Sequence, residues 1–209
     1  MMSLCSFFLR KGDAGLQKNK SEKYNKILDS AGAVFAQFGF YKATISQIAS
    51  RAGVADGTVY LYFKSKEDIL YQFISFKTNS VFKKINAAVE KGRNAEEKLR
   101  QLIRSHMDEF QKDKNMAIIF QSEVRYFRDI QFQIKDISKM YLELLSDIIE
   151  QGQIEGAFRQ DLFVGLVKRF IPGAVEGVIG TWVSADGGYD LVSMADPLVD
   201  LYLTGIREQ

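Results

Sequence analysis

Between Ala55 and Lys66 the chain reads ADGTVYLYFKSK, which sets hydroxyls and ammonium groups on a short, largely apolar segment. Thr58, Tyr60 and Tyr62 offer hydroxyls, Lys64 and Lys66 offer charges, and Thr44 adds one more hydroxyl a short way upstream. Such groups suit phosphate oxygens, which fix the position of a bound polyanion without reading its sequence. Gly57 removes side-chain bulk where a backbone could come close to that partner. The competing reading makes the aromatics ordinary core and the lysines solvated. It suits Phe63, which falls on the buried side, and suits Tyr62 poorly beside Lys64 and Lys66.

Charge is distributed to match. Of the 209 residues, the first 66 carry a net +6 and the remainder a net −4. A small basic head on a mildly acidic body fits contact with nucleic acid or a membrane surface through the head. The longest wholly apolar runs, such as Met116–Phe120, are far too short to span a bilayer. Cys5 is the single cysteine and His106 the single histidine. That count rules out an internal disulfide, argues for a reducing cytoplasm, and speaks against a structural zinc site. No Gly-rich phosphate loop and no Ser/His/Asp set beyond His106 points to catalysis, so the chain reads as no enzyme and needs no cofactor. Residues 1–20, with an apolar patch that precedes its positive charges, read as a loose N-terminal extension rather than a signal peptide.

The elements that must position the polar segment are helical. Ile27, Leu28, Ala31, Val34, Phe35 and Phe38 recur at three- and four-residue steps before Gly39. Thr44 caps a short segment carrying Ile45, Ile48 and Ala49, Gly53 ends it, and a second short segment runs from about Asp56 to Phe63. Two short helices joined across Ala52-Gly53-Val54-Ala55 make a helix-turn-helix, which presents the N-terminal end of its second helix to the major groove of DNA. Ser65-x-x-Asp68 opens a long helix and Asn94-x-x-Glu97 another, with further helical stretches at about 115–127, 130–151, 161–184 and 190–206. The fold class is all-α: a head over 21–66 and a helical body over 67–209.

The stretch TISQIASRAGVADGTVYLYFKSKEDIL resembles the N-terminal DNA-binding motif of the TetR family of bacterial repressors, through Thr44, Ile48-Ala49, Ala52-Gly53-Val54, Gly57-Thr58-x-Tyr60, Phe63, Lys66 and Glu67. The resemblance implies a homodimer with two DNA-binding heads and a variable ligand-binding body. It implies that Thr44, Thr58, Tyr60, Tyr62 and Lys66 face operator DNA, with Ser46, Ala55, Asp56 and Gly57 nearest the bases. Asp56 is unusual there, since a carboxylate can accept from cytosine but repels phosphate.

In the body, the candidate ligand lining is aromatic: Phe110, Phe120, Tyr126, Phe127, Phe132, Tyr141, Phe170 and Trp182, joined by His106 and the small Ala174 and Gly177. Gly173, Ala174, Gly177, Gly180 and Thr181 either admit a second helix at close range or leave room for a ligand. Glu123 and Arg125, between Phe120 and Tyr126, and Glu176 imply a polar network or a polar ligand head group if they are buried. Glu97-Lys98-Leu99, QSEVR at 121–125, Thr181-Trp182-Val183 and Tyr189-Asp190-Leu191-Val192 make the body similar to the fatty-acid-degradation repressors of that family. This implies release from DNA by a long-chain acyl-CoA, with Arg100, Arg104, Arg125, Arg128, Lys168 and Arg169 as the pool of cations for its phosphates. The alternative within the family is an efflux repressor that senses hydrophobic drugs and uses Glu123 and Glu176 as pocket acids. Apolar residues on more than one side of 161–184 and 190–206 imply that these helices pair with their copies in a second chain.

Overall fold

The computed structural model describes residues 22–124 and 135–206. All the regular elements among them are helices: α1 (Glu22–Phe38), α2 (Ile45–Ala52), α3 (Asp56–Tyr60), α4 (Lys66–Val89), α5 (Ala95–Lys112), α6 (Lys114–Ile119), α7 (Lys135–Ile154), α8 (Val164–Ser184) and α9 (Ala195–Ile206). A π-helical turn, Phe120–Val124, follows α6, and a 3₁₀ turn, Val192–Met194, leads into α9. The chain divides into two compact units after Phe73.

In the first unit, Ile27, Leu28, Ala31, Val34 and Phe35 of α1 are buried with Ile48, Ala49 and Ala52 of α2 and Val59 of α3. Phe38, expected on the same apolar face, is 40% exposed instead, at the very end of α1, while Phe35 in the same turn is buried. Thr44 caps α2: its side chain accepts from the Gln47 N–H, while the Gln47 side chain accepts from the Thr44 N–H at 2.8 Å. Gly53 closes α2 at φ 65°, a left-handed conformation that costs glycine little. The Val54 N–H then reaches the Ala49 carbonyl at 3.0 Å and completes the turn. Gly32 serves close packing. A Cβ there would stand 2.4 Å from the Phe73 ring, so α1 and the first turns of α4 meet where no side chain fits. The N-terminal lock of α4 is shifted from the usual box. Ser65 Oγ accepts from the Asp68 N–H at 3.2 Å, but the Asp68 carboxylate takes the N–H of Lys64 rather than that of Ser65.

The second unit packs α5 against α7, α8 and α9 around Leu99, Leu102, Ile103 and Met107 of α5, Leu145, Ile148 and Ile149 of α7, Val175 and Ile179 of α8 and Val199 and Leu203 of α9. Asn94 caps α5 through its side chain at 2.9 Å from the Glu97 N–H, and Asp113 caps α6 at 3.0 Å from the Met116 N–H. Pro172 interrupts the backbone ladder of α8. One turn around it, the Tyr202 hydroxyl donates to the Ile171 carbonyl at 3.2 Å, which ties α9 to α8 at that point. Pro197 lies in the first turn of α9, where a missing N–H costs no helical bond. Among the described residues, no helix is long and apolar enough to cross a membrane.

Candidate DNA-binding surface and effector site

Ala55, which precedes α3, and Asp56, Gly57 and Tyr60 on it are exposed, while Val59 behind them is fully buried, so the short helix shows its polar side outward and is anchored by its apolar one. Tyr60 is 59% exposed, which removes it from the core. A Cβ on Gly57 would meet nothing within 4 Å, so this end of α3 is open to a partner's close approach. Ser46 on α2 donates its hydroxyl hydrogen to Asp56 Oδ2. That bond answers the oddity of the carboxylate. It joins the two helices of the motif and leaves Oδ1 as the oxygen on offer to a cytosine amino group.

Thr44 is exposed, and its hydroxyl already takes part in the α2 cap. Thr58 is half-buried. Tyr62 is also half-buried and meets Tyr24 edge-on at 6.3 Å, while Phe63 behind it is buried and stacks on Tyr24 at 5.0 Å. Lys64 is exposed. Lys66 is placed differently from the expectation that its charge faces phosphate. Its ammonium donates to the carbonyls of Tyr41 at 3.2 Å and Ala43 at 2.9 Å, and sits 4.6 Å from the centre of the Phe40 ring. Tyr41, three residues before Thr44, is 81% exposed and meets the Phe40 ring edge-on at 5.6 Å.

In the second unit, four polar side chains from four elements converge. His106 Nδ1 lies 3.2 Å from the Tyr141 hydroxyl, His106 Nε2 lies 3.7 Å from Glu176 Oε1, and Gln121 Nε2 donates to Glu176 Oε2 at 2.9 Å. Phe110 packs beside the imidazole at 5.1 Å and meets Phe120 edge-on at 5.5 Å. Burial pushes the His106 pKa down to about 4, so the ring is neutral at ordinary pH. Burial, with Glu176 next, pushes the Tyr141 phenol well above its usual range. Of the expected lining, His106, Phe110, Phe120 and Tyr141 therefore come together with Glu176, and Gln121 joins as a further polar member. Their convergence from α7 and the π turn could not be read from spacing. Glu123 is buried on the same π turn. Arg125, Tyr126, Phe127, Arg128 and Phe132 lie outside the described residues.

Three expected lining residues are placed elsewhere. Phe170 is 63% exposed and leans edge-on against Tyr202, because it lies on the side of α8 turned away from the core. Gly177 is exposed on that side too, and a Cβ there would meet nothing within 4 Å, so it bounds no internal space. Trp182 is buried, but its indole N–H donates to the Tyr189 carbonyl at 2.9 Å and pins the loop after α8. Ala174 is half-buried. Among the candidate cations for phosphate, Arg100 is paired with Asp196 and Asp200, and Arg104 with Asp196, so both join α5 to α9.

The comparisons with known proteins follow the same two units. Residues 27–72 match the family model "Bacterial regulatory proteins, tetR family", and residues 74–205 match "YsiA-like protein, C-terminal region". The chain is 36% identical over 193 residues to the fatty acid metabolism regulator protein of Bacillus subtilis, covering 92% of this chain and all of that one. The fold is similar to that of the fatty acid degradation regulator FadR from Bacillus halodurans, with a TM-score of 0.84 at 36% identity over 92% of this chain and all of that one. It is also similar to FadR from Bacillus subtilis in complex with stearoyl-CoA, with a TM-score of 0.80 at 36% identity over 88% of this chain and all of that one. With the helix-turn-helix model on one unit, the C-terminal model on the other and full-length relatives spanning both, this chain belongs to the TetR family of bacterial regulatory proteins.

Proposed function

We propose that this protein is a homodimeric transcriptional repressor of fatty-acid-degradation genes that leaves its operator when a long-chain acyl-CoA binds the second unit. The observation that carries this reading is that the similarity to the fatty-acid regulators runs through the whole chain, including the body where family members differ most. The exposed polar side of α3 supplies the DNA-reading surface, with Ser46 and Asp56 at the bases and Lys64 at the phosphates. The effector site is built on His106, Phe110, Phe120 and Glu176. The protein acts by binding, and no catalytic step is assigned to it.

Fluorescence anisotropy with labelled DNA from upstream of its own gene and of candidate acyl-CoA dehydrogenase genes tests the reading. Stearoyl-CoA and palmitoyl-CoA are expected to release the DNA and free CoA is not, because only the acyl chain brings apolar surface to bury. Release by cationic dyes with no response to any acyl-CoA would replace the proposal with a drug-responsive repressor.

A further inference from the structure

A side-chain bond ties the two helices of the DNA-binding motif together, from the Ser46 hydroxyl on α2 to Asp56 Oδ2 on α3. An ionised carboxylate has nothing to donate, so the hydroxyl hydrogen is committed to it. Ser46 keeps only lone pairs, and Asp56 keeps a second oxygen, Oδ1, that enters no other hydrogen bond among the described residues. Both side chains are exposed. The pair therefore presents acceptors and no donor. Gly57 follows, and since even an added Cβ would meet nothing within 4 Å, this residue puts no bulk in the way of a base edge. In the major groove the amino donors are cytosine N4 and adenine N6. The adenine amino group lies between two acceptors, its own N7 and the thymine O4, and both repel a carboxylate. The cytosine amino group has such a neighbour on one side only, the guanine O6.

We propose that Asp56 selects a cytosine in each operator half-site, with Ser46 as the positioning residue. Ser46 fixes which carboxylate oxygen faces the groove, and by spending its hydrogen it gives up the donor with which a serine would read guanine. The inference rests on the reading of this protein as a DNA-binding repressor. Selection works by exclusion as much as by contact. The carboxylate is a negative charge on a basic head, so it lowers affinity for every sequence that lacks an amino group at that point.

The test is selection of bound sequences from a randomised duplex DNA pool by the full-length protein and its variants. The wild type is expected to enrich half-sites in which one position prefers cytosine about tenfold, the scale of one mismatched base pair. Asp56→Asn can still accept from Ser46 but turns an amide N–H group outward. That position is then expected to pass to a purine, whose N7 accepts, with the rest of the half-site unchanged. Ser46→Ala is expected to weaken the cytosine preference about threefold, and Ser46→Thr, which keeps the hydroxyl, to restore it. A bond that only clasped α2 to α3 would lower affinity for all sequences alike and move no single position. Wild-type half-sites without a preferred cytosine overturn the proposal, and so do unchanged base preferences in Asp56→Asn. A full cytosine preference in Ser46→Ala removes Ser46 from it. Should Asp56→Asn fail to fold, the wild-type half-site and the Ser46 variants decide alone. If the wild type enriches no sequence at all, it is the operator reading beneath the proposal that fails.

Discussion

Lys64 and Lys66 are two residues apart, yet they do different work. The Lys66 ammonium is spent on two carbonyls at the entrance to α2 and on the face of Phe40, so it braces the motif from behind. Lys66→Met, which keeps the stem and removes the donor, is expected to destabilise the protein by about 1–3 kcal/mol, the cost of leaving partners unsatisfied. Operator affinity should fall with the salt dependence unchanged. Lys64→Ala is expected to lower the slope of log affinity against log salt by about one unit, with stability intact. Binding measured across a salt series, with thermal melts of each variant, checks both; a reduced slope in Lys66→Met would put that ammonium back on phosphate. His106 carries a second prediction. Its folded pKa is depressed to about 4 against an ordinary value of 6.5. Between these limits the unfolded chain binds a proton that the fold refuses, so the contribution is intact above about pH 6.5 and lost as pH falls towards 4. The loss is on the order of 3 kcal/mol at 1.36 per unit. Melting temperature against pH should therefore fall less steeply in His106→Leu than in the wild type, most clearly above about pH 5, where carboxylates remain ionised.

At the scale of elements, α8 is the decisive helix. Its inner side buries Ile171, Val175 and Ile179, while Leu166, Phe170, Gly173, Gly177 and Thr181 recur at helical steps along an exposed side. Leu201 of α9 adds to the apolar surface at 74% exposed. The small residues therefore offer another backbone a close approach. A helix with apolar residues on two sides needs two partners, and a second copy of the α8–α9 pair is the expected occupant of the outer side. Phe170→Glu is expected to weaken dimerisation by about 2 kcal/mol or more, roughly thirtyfold, as for a central aromatic of an interface. Gly177→Leu should loosen the dimer and leave acyl-CoA binding in place, since its side chain would point away from the core. Analytical ultracentrifugation of both variants tests the assignment: wild-type association in both would move the interface elsewhere.

For the whole molecule the question is how one ligand changes another's affinity. The α4 helix carries the chain from the first unit into the second without a break. An effector in the second unit can act on DNA only through its differential affinity for the DNA-competent and released states. Lowering operator affinity about 100-fold requires a preference of about 2.7 kcal/mol, within the usual span of coupling energies. The converse is then obligatory: saturating operator DNA should weaken stearoyl-CoA binding by the same factor. Titrations of acyl-CoA with and without operator measure the coupling from the ligand's side, and stearoyl-CoA binding that operator DNA leaves unchanged would mean that the two sites are not coupled.

What the sequence determined by itself was the part written in short-range physics. Helical periodicity, the caps at Thr44 and Asn94 and the left-handed stop at Gly53 depend on neighbours a few residues away, so the all-helical class and the helix-turn-helix were legible before any coordinates. The aromatic lining was legible only as composition. Which way Phe170 and Gly177 point, and the meeting of His106, Gln121, Tyr141 and Glu176, depend on how α5, α7, α8 and the π turn are rotated against one another. A helix's own residues do not encode that rotation; it is set by the packing of several apolar faces at once. The same holds for Lys66. Its spacing suggested a phosphate, and only the folded chain brings the carbonyls of Tyr41 and Ala43 within its reach.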